Sequence, residues 1–302
     1  MGGYFVRRDS SNPLYRKILS RYVHMATASG VAQAVFPEGG LTRDGKLRPP
    51  KLGLLSYMVS PFDPQGGRDI VFVPVGLNYD RVLEDRILTA AASTPQGERP
   101  RFAFNPGVLA GFLLRSLWLR VRGRWHRFGY ACVSFGRPLS LRAYLAERGV
   151  DLRSLPEQQR FAEIQALGTR LMRDVGRVVP GLPVSLVASA ILSGGERGLS
   201  GLELKGSVFE LMRRLKAIGA HVHIPRQDEE YAVDVGLRML MLRHLILAEN
   251  GVYRPNPKET ALLAFYANAI VHLLTPDASN GLAAFTPVAA TEEAEPQASP
   301  AR

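Results

Sequence analysis

Side chains that could do chemistry are concentrated in the stretch VFPEGGLTRDGKLRPPK, residues 35–51. A lone acid, Glu38, follows a short apolar run that stops at Pro37, and Gly39 and Gly40 come directly after it. A carboxylate beside two glycines and a basic loop is a combination that a plain structural segment has little reason to contain. By itself, Glu-Gly-Gly is also typical of an ordinary turn in which glycine permits a positive φ. The cations that follow it are Arg43, Lys46, Arg48 and Lys51.

Composition limits the kinds of site that the chain can build. It has 302 residues, 46% of them hydrophobic, which is enough to bury a core in one large domain or two modest ones. Cys132 is the one cysteine, so the sequence predicts no internal disulfide and indicates a reducing, intracellular setting. Cysteine-based zinc sites are excluded too, and the six histidines never form H-E-x-x-H, so no metal site is predicted.

The excess of positive over negative charge lies in the first half of the chain. The formal net charge is +11, and residues 1–150 hold 22 Lys and Arg against 10 Asp and Glu. An anionic partner is therefore expected there: nucleic acid, a phosphorylated metabolite or an anionic membrane surface. The first residues lack the apolar core of a signal peptide, and no apolar run approaches the roughly 18 residues of a spanning helix. If a membrane is involved, we expect the chain to lie on its surface.

Strands and helices alternate in the first half, which predicts an α/β fold. Pro13 and an apolar repeat at helical spacing predict a helix over residues 12–29. Residues 69–79 form a nearly continuous apolar run, typical of a strand covered on both faces. Residues 108–118 fit a helix, whereas 119–126 alternate apolar and basic residues. The other predicted elements are strands at 4–7, 31–36 and 130–141, and a short helix at 51–59.

The second half reads as mainly helical. Pro156 opens a helix, and Ser200 with Glu203 forms a capping box before a helix that Gly219 ends. A turn and short strand are predicted near residues 249–257, and a last helix covers 258–274. The residues expected on one face of the first of these helices are Phe161, Ile164, Leu167 and Leu171.

Three ordered stretches carry a family resemblance: GGYFVRR at residues 2–8, FPEGGLTRDGK at 36–46 and VFVPVGLNYDRV at 71–82. They resemble successive motifs of the membrane glycerol-3-phosphate acyltransferases, and FGRPLSL and YANAIVHLL resemble later segments of that family. The resemblance covers roughly residues 2–275. It implies an α/β fold, an acyltransferase-type mixed sheet flanked by helices, followed by a mainly helical C-terminal region. From Thr275 the chain is rich in Ala, Pro, Glu and Ser, and this composition predicts a disordered tail. The implied domains are an N-terminally truncated acyltransferase domain at 1–146, the helical domain at 147–275 and the tail at 276–302.

The resemblance implies transfer of a fatty acyl group from acyl-CoA or acyl carrier protein to the sn-1 hydroxyl of glycerol 3-phosphate. No metal or redox cofactor is implied, since the acyl carrier is a cosubstrate. Glu38 would orient hydroxyls or hold the arginines, and Val73 and Pro74 would line the acyl groove. Leu41 stands where many relatives have arginine, which would remove one phosphate contact. The implied substrate-binding residues are Arg7 or Arg8, Glu38, Gly39, Gly40, Thr42 and Arg43.

The family's catalytic base and its aspartate come from an H-x-x-x-x-D motif several tens of residues before the YFVRR strand. This sequence begins at that strand, so no catalytic residue is assigned and little acyl transfer is expected from this chain alone. His223 with Asp228 and His272 with Asp277 fit the spacing. Both lie far downstream in the wrong order, and we interpret them as coincidence.

Two further interpretations compete with a truncated enzyme. One is a non-catalytic, membrane-associated protein that binds glycerol phosphate or lipid; an in-frame H-x-x-x-x-D upstream would favour the enzyme instead. The other takes residues 202–257 as a winged-helix DNA reader, but the second half holds 16 Lys and Arg against 17 Asp and Glu and a DNA-binding domain should be basic, so no nucleic-acid partner is expected. Residues 108–128 combine apolar anchors with five arginines and suggest a peripheral protein on the cytoplasmic face of the cell membrane; a core helix and strand with an arginine edge is the alternative.

Overall fold

The computed structural model describes residues 12–92 and 129–275. Its helices are α1 (Pro13–Ala28), α2 (Gly53–Val59), α3 (Asp85–Ala92), α4 (Leu141–Arg148), α5 (Glu157–Val178), α6 (Pro183–Ser193), α7 (Gly201–Ala217), α8 (Glu229–Leu242), α9 (Thr260–Asn268) and α10 (Val271–Leu274). Its strands are β1 (Val71–Phe72), β2 (Val75–Tyr79), β3 (Ala131–Phe135), β4 (Leu139–Ser140), β5 (Leu199–Ser200), β6 (Ile246–Glu249) and β7 (Val252–Pro255). Short 3-10 turns lie at Gly195–Arg197, Pro225–Gln227 and Pro257–Glu259.

The expected mixture of helices and strands is confirmed. In the described part of the chain the strands form small antiparallel sheets: β1 with β4, β2 with β3, and β5–β7–β6. The predicted strand at residues 31–36 is wrong. That segment is extended, but it joins no ladder among the described residues, and both Val35 and Phe36 are exposed. A strand needs a pairing partner as well as β-favouring residues, and sequence composition supplies only the second.

The long apolar run at residues 69–79 divides at Val73 and Pro74 into β1 and β2. Proline has no N–H for a ladder, and the Pro74 carbonyl accepts a hydrogen bond from the Gly136 N–H at 2.8 Å. Burial alternates along β2, so the described residues cover only one face of the β2–β3 pair. The prediction that both faces are covered is wrong for the described part of the chain. The exposed face carries Val75, Leu77, Tyr79, Val133 and Phe135.

Helix α1 follows its prediction to within one residue at each end. Asn12 caps it, because the side-chain oxygen accepts hydrogen bonds from the N–H groups of Leu14 and Tyr15 at 2.9 and 3.2 Å. Val23 is fully buried on the side that meets α2. The apolar stripe that predicted the helix is more than half exposed at each position: Leu14, Ile18, Tyr22 and Met25.

Two hydrophobic clusters form the interior. The first joins α1, α2 and α4 with the first half of α5, which contributes Ile164 and Leu167. The second surrounds α6, a helix buried along most of its length, with α7, α8 and α9 packed around it. Helix α5 was predicted to place Phe161 on its buried face, but Phe161 is 54% exposed. The helix therefore turns a narrower face to the interior than its sequence pattern suggested.

Local signals in the second half are confirmed. Ser200 and Glu203 form the predicted capping box: the Ser200 hydroxyl accepts from the Glu203 N–H, and the Glu203 carboxylate accepts from the Ser200 N–H. Residues 249–257 hold the turn between β6 and β7, with Gly251 at a φ of 75°. The last predicted helix is interrupted at residues 269–270 and continues as α10.

Candidate functional site

The Glu-Gly-Gly segment begins with a tight turn. The Gly39 N–H donates to the Phe36 carbonyl at 3.0 Å, closing a turn over residues 36–39. Gly39 has a φ of 65°, and a Cβ placed there would lie 2.7 Å from Cδ of Lys51. Because other residues rarely adopt this φ, glycine is required here by the backbone.

Glu38 closes the base of a loop that runs from Pro37 to Lys51. Its Oε2 accepts a hydrogen bond from the Arg48 N–H at 3.3 Å, and the Pro37 carbonyl accepts one from the Lys51 N–H at 2.8 Å. Burial raises the pKa of Glu38, while the N–H and the positive charge of Arg48 act in the opposite direction. Glu38 is thus a half-buried strut between the two arms of the loop.

Beyond Gly39, three consecutive backbone donors have no acceptor among the described residues. The N–H groups of Gly40, Leu41 and Thr42 donate to no acceptor in the described part of the chain. All four cations of the loop, Arg43, Lys46, Arg48 and Lys51, are exposed. Consecutive free N–H groups beside arginine and lysine side chains form an arrangement that can hold an anion.

The Thr42 side chain forms hydrogen bonds within the loop. Its hydroxyl oxygen lies 2.9 Å from the Lys46 carbonyl and 3.0 Å from Oδ1 of Asp44, and it accepts a hydrogen bond from the Gly45 N–H at 3.1 Å. Asp44 Oδ1 also accepts from the Lys46 N–H at 3.1 Å. The Thr42 hydroxyl therefore ties the tip of the loop together.

Of the remaining predicted site residues, the structure describes Val73 and Pro74. Arg7 and Arg8 lie outside the described residues. Val73 is 49% exposed, whereas Pro74 is buried and lines a cavity of about 570 Å³. The cavity wall combines apolar surface with charged side chains of both signs; its other residues include Leu139, Tyr144, Val178, Arg137, Arg170, Arg177, Glu147 and Asp174.

Within the described part of the chain, neither histidine with family-like spacing has an aspartate partner. His223 packs against the Tyr130 ring at 4.8 Å between centroids, while Asp228 accepts from the Tyr231 N–H at 3.0 Å and caps α8. His272 Nε2 lies 2.9 Å from the Gly176 carbonyl, and Asp277 lies outside the described residues. Burial lowers the pKa of both imidazoles, which favours their neutral form.

Within residues 12–92 and 129–275, no three His, Cys, Asp or Glu side chains lie close enough to share a metal ion. Sequence reasoning missed the role of Arg48, whose backbone N–H, and not its guanidinium, bonds to Glu38. The signal that could have found it is the pair of prolines at 49 and 50, which ends the loop and returns the chain toward Pro37.

Comparison with known proteins gives two family matches. The glycerol-3-phosphate acyltransferase C-terminal region matches residues 116–297, and the acyltransferase family matches residues 1–78. The first match covers more than half of the chain. The second contains the whole loop that Glu38 closes.

Individual relatives agree with these matches. Glycerol-3-phosphate acyltransferases of Ectopseudomonas mendocina (strain ymp) and Pseudomonas putida (strain W619) are each 27% identical over 281 residues, covering 90% of this chain and 32% of their own length. A relative from Mycobacterium tuberculosis, named only as an acyltransferase, is 28% identical over 279 residues, covering 90% of this chain and 42% of its own length. The chain spans about a third of the length of the first of these relatives.

Proposed function

The chain belongs to the family of the glycerol-3-phosphate acyltransferase C-terminal region, and on that premise we propose that it forms the glycerol 3-phosphate-binding part of such an enzyme. The reaction joins a fatty acyl group to the sn-1 hydroxyl of glycerol 3-phosphate. Acyl-CoA or acyl carrier protein delivers the acyl group as a thioester. The product is an acylated glycerol phosphate, the type of molecule from which phospholipids are made.

One observation carries the proposal: in the loop from Pro37 to Lys51, three consecutive N–H groups have no acceptor among the described residues and lie beside four exposed cations. Glycerol 3-phosphate offers little apolar area and must be held mainly by its charge. The phosphate dianion would accept from the Gly40 and Leu41 N–H groups and from Arg43, whose guanidinium can meet two oxygens at once. Glu38 would act by keeping the two arms of the loop together.

The chemical step needs no nucleophile from the protein. The sn-1 hydroxyl oxygen bonds to the thioester carbonyl carbon, the C–S bond breaks, and the thiol leaves with a proton. A histidine base held by an aspartate would assist removal of the hydroxyl proton. We assign no such base among the described residues, because His223 and His272 each lack an aspartate partner there.

The acyl thioester would approach from the side of Pro74, where the cavity of about 570 Å³ offers an apolar wall next to Arg137 and Arg170. We also propose a peripheral position on the cytoplasmic face of the membrane, supported by the arginine-rich and apolar sequence of residues 108–128. No helix in the described part of the chain is both long enough and apolar enough to cross a membrane.

Calorimetry with glycerol 3-phosphate tests the phosphate site without requiring turnover. Arg43→Ala should weaken binding about tenfold or more, since a charge-assisted hydrogen bond contributes roughly 1.5–3 kcal/mol. Arg43→Lys should weaken it less, because the charge remains but the fork is lost. Arg214→Ala is the matched control, since Arg214 is exposed on α7 and not in the loop. Unchanged affinity for Arg43→Ala, or equal affinity for glycerol and its phosphate, would contradict the proposal.

A further inference from the structure

The tip of the loop rests directly on helix α9. Gly45 has a φ of 84°, and a Cβ built on it would lie 1.9 Å from the Phe265 carbonyl oxygen and 2.8 Å from the carbonyl carbon. These are backbone atoms inside a helix, so they cannot move aside as a flexible side chain could. Gly45 therefore brings the loop into the closest possible contact with α9.

A hydrogen bond fastens the same contact. Asn268, the last residue of α9, donates from Nδ2 to the Asp44 carbonyl at 2.8 Å, across 224 positions of sequence. Asp44 is also bonded within the loop to Thr42 and to the Lys46 N–H. The loop tip is thus a small rigid unit, and α9 holds it at two adjacent residues.

The arm that leaves the tip is seated on α5. A Cβ at Gly176 would lie 3.1 Å from Cδ1 of Leu47 and 3.3 Å from Cδ2 of His272. His272 lies on α10 and approaches the Gly176 carbonyl at 2.9 Å. Leu47 consequently packs where α5 and α10 meet, a few residues after the contact with α9.

From these contacts we propose that the helical half of the chain fixes the conformation of the loop, with Gly45 and Asn268 as positioning residues for the anion site. The inference rests on the proposed function for the identity of the ligand. The N–H groups of Gly40 and Leu41 and the guanidinium of Arg43 can share one phosphate only if the backbone keeps them convergent. A loop that is already ordered loses less conformational entropy when the ligand binds.

Hydrogen–deuterium exchange on the full chain without ligand tests whether the contact with α9 orders the loop. Asn268→Ala removes one hydrogen bond and should speed exchange in peptides covering residues 38–48 by about fivefold, with peptides elsewhere unchanged. Gly45→Ala should have a larger effect in the same peptides. Gln165→Ala is the control, because it removes an exposed carboxamide from α5 that forms no side-chain hydrogen bond in the described part of the chain.

Calorimetry on the same variants adds the functional readout. Asn268→Ala should weaken glycerol 3-phosphate binding by about fivefold, while Gln165→Ala binds as the unmodified chain does. Equal loop exchange in Asn268→Ala and Gln165→Ala would overturn the inference, as would faster exchange with full affinity. If the unmodified chain bound no glycerol 3-phosphate, the proposed function would be contradicted. An exchange difference confined to the loop would still support the inference that α9 fixes the conformation of the loop.

Discussion

Replacing Arg243 by methionine should lower the free energy of unfolding by about 3 kcal/mol, because it leaves a buried carboxylate without its cation. Arg243 Nη2 lies 2.6 Å from Oδ2 of Asp85, and the two side chains are only 15% and 3% exposed. Tyr266 completes the group: its hydroxyl donates to Asp85 and accepts from Arg243 Nη1 at 2.6 Å. The three residues come from α3, the end of α8 and α9, so the group fastens α3 to the helical half.

The magnitude follows from burial. Breaking a buried ion pair by removing one partner typically costs about 3–5 kcal/mol. We expect the lower end, because Arg81 is close enough to Asp85 to interact with it electrostatically. Arg213→Met is the matched control: Arg213 pairs with Glu210 at 2.8 Å, but these side chains are 75% and 49% exposed, so the cost should stay under about 1 kcal/mol.

Urea unfolding followed by far-ultraviolet circular dichroism measures both variants. The reasoning fails if Arg243→Met costs no more than Arg213→Met. Replacing both Arg243 and Asp85 by apolar residues should cost less than Arg243→Met alone, because no buried charge is then left unpaired. A double variant that is less stable than the single one would show that packing, and not charge, dominates at this position.

Two other predictions concern pH and membranes. Burial raises the pKa of Asp80 from 3.8 to about 6, against the opposing effect of hydrogen bonds from the N–H groups of Val184 and Tyr130. The stability that protonated Asp80 contributes is complete below about pH 4 and is lost as the pH rises through about 6. Over that window the free energy of unfolding of the wild type should fall by up to about 3 kcal/mol relative to that of Asp80→Asn. A difference in unfolding free energy that does not change with pH would refute this. Residues 108–128 should favour anionic vesicles in flotation by about 1 kcal/mol per cation, and equal recovery with neutral vesicles would exclude the electrostatic part.

Sequence predicted best what depends on neighbours along the chain. The predicted capping box of Ser200 and Glu203 forms, and its hydrogen bonds join residues only three positions apart. The strand predicted at residues 31–36 is wrong because a strand is defined by its pairing partner, and the sequence of the segment does not show whether a partner exists. The exposed stripe of α1 shows the same limit: periodicity predicts the helix, but tertiary packing decides which face is covered.

The candidate site divides along the same line. Glycine at position 39 and the cations after it are visible from residue type alone, whereas their role at a phosphate is implied by the family resemblance and stays a prediction. The hydrogen bond from Asn268 was not predictable, because nothing in the sequence places residue 268 beside residue 44. Glu38 shows an intermediate case, in which the residue is found by sequence and its partner, the Arg48 N–H, only by structure.

Helix α5 belongs to two regions of the interior at once. Ile164 and Leu167 complete the first hydrophobic cluster, and about two and a half turns further along the helix Gly176 packs against both Leu47 and His272. A single rigid rod shared in this way couples the melting of one region to that of the other, so loss of α5 would expose both together. The two halves should then unfold in one cooperative transition, and separating them at residue 146 would deprive the first half of part of its own interior.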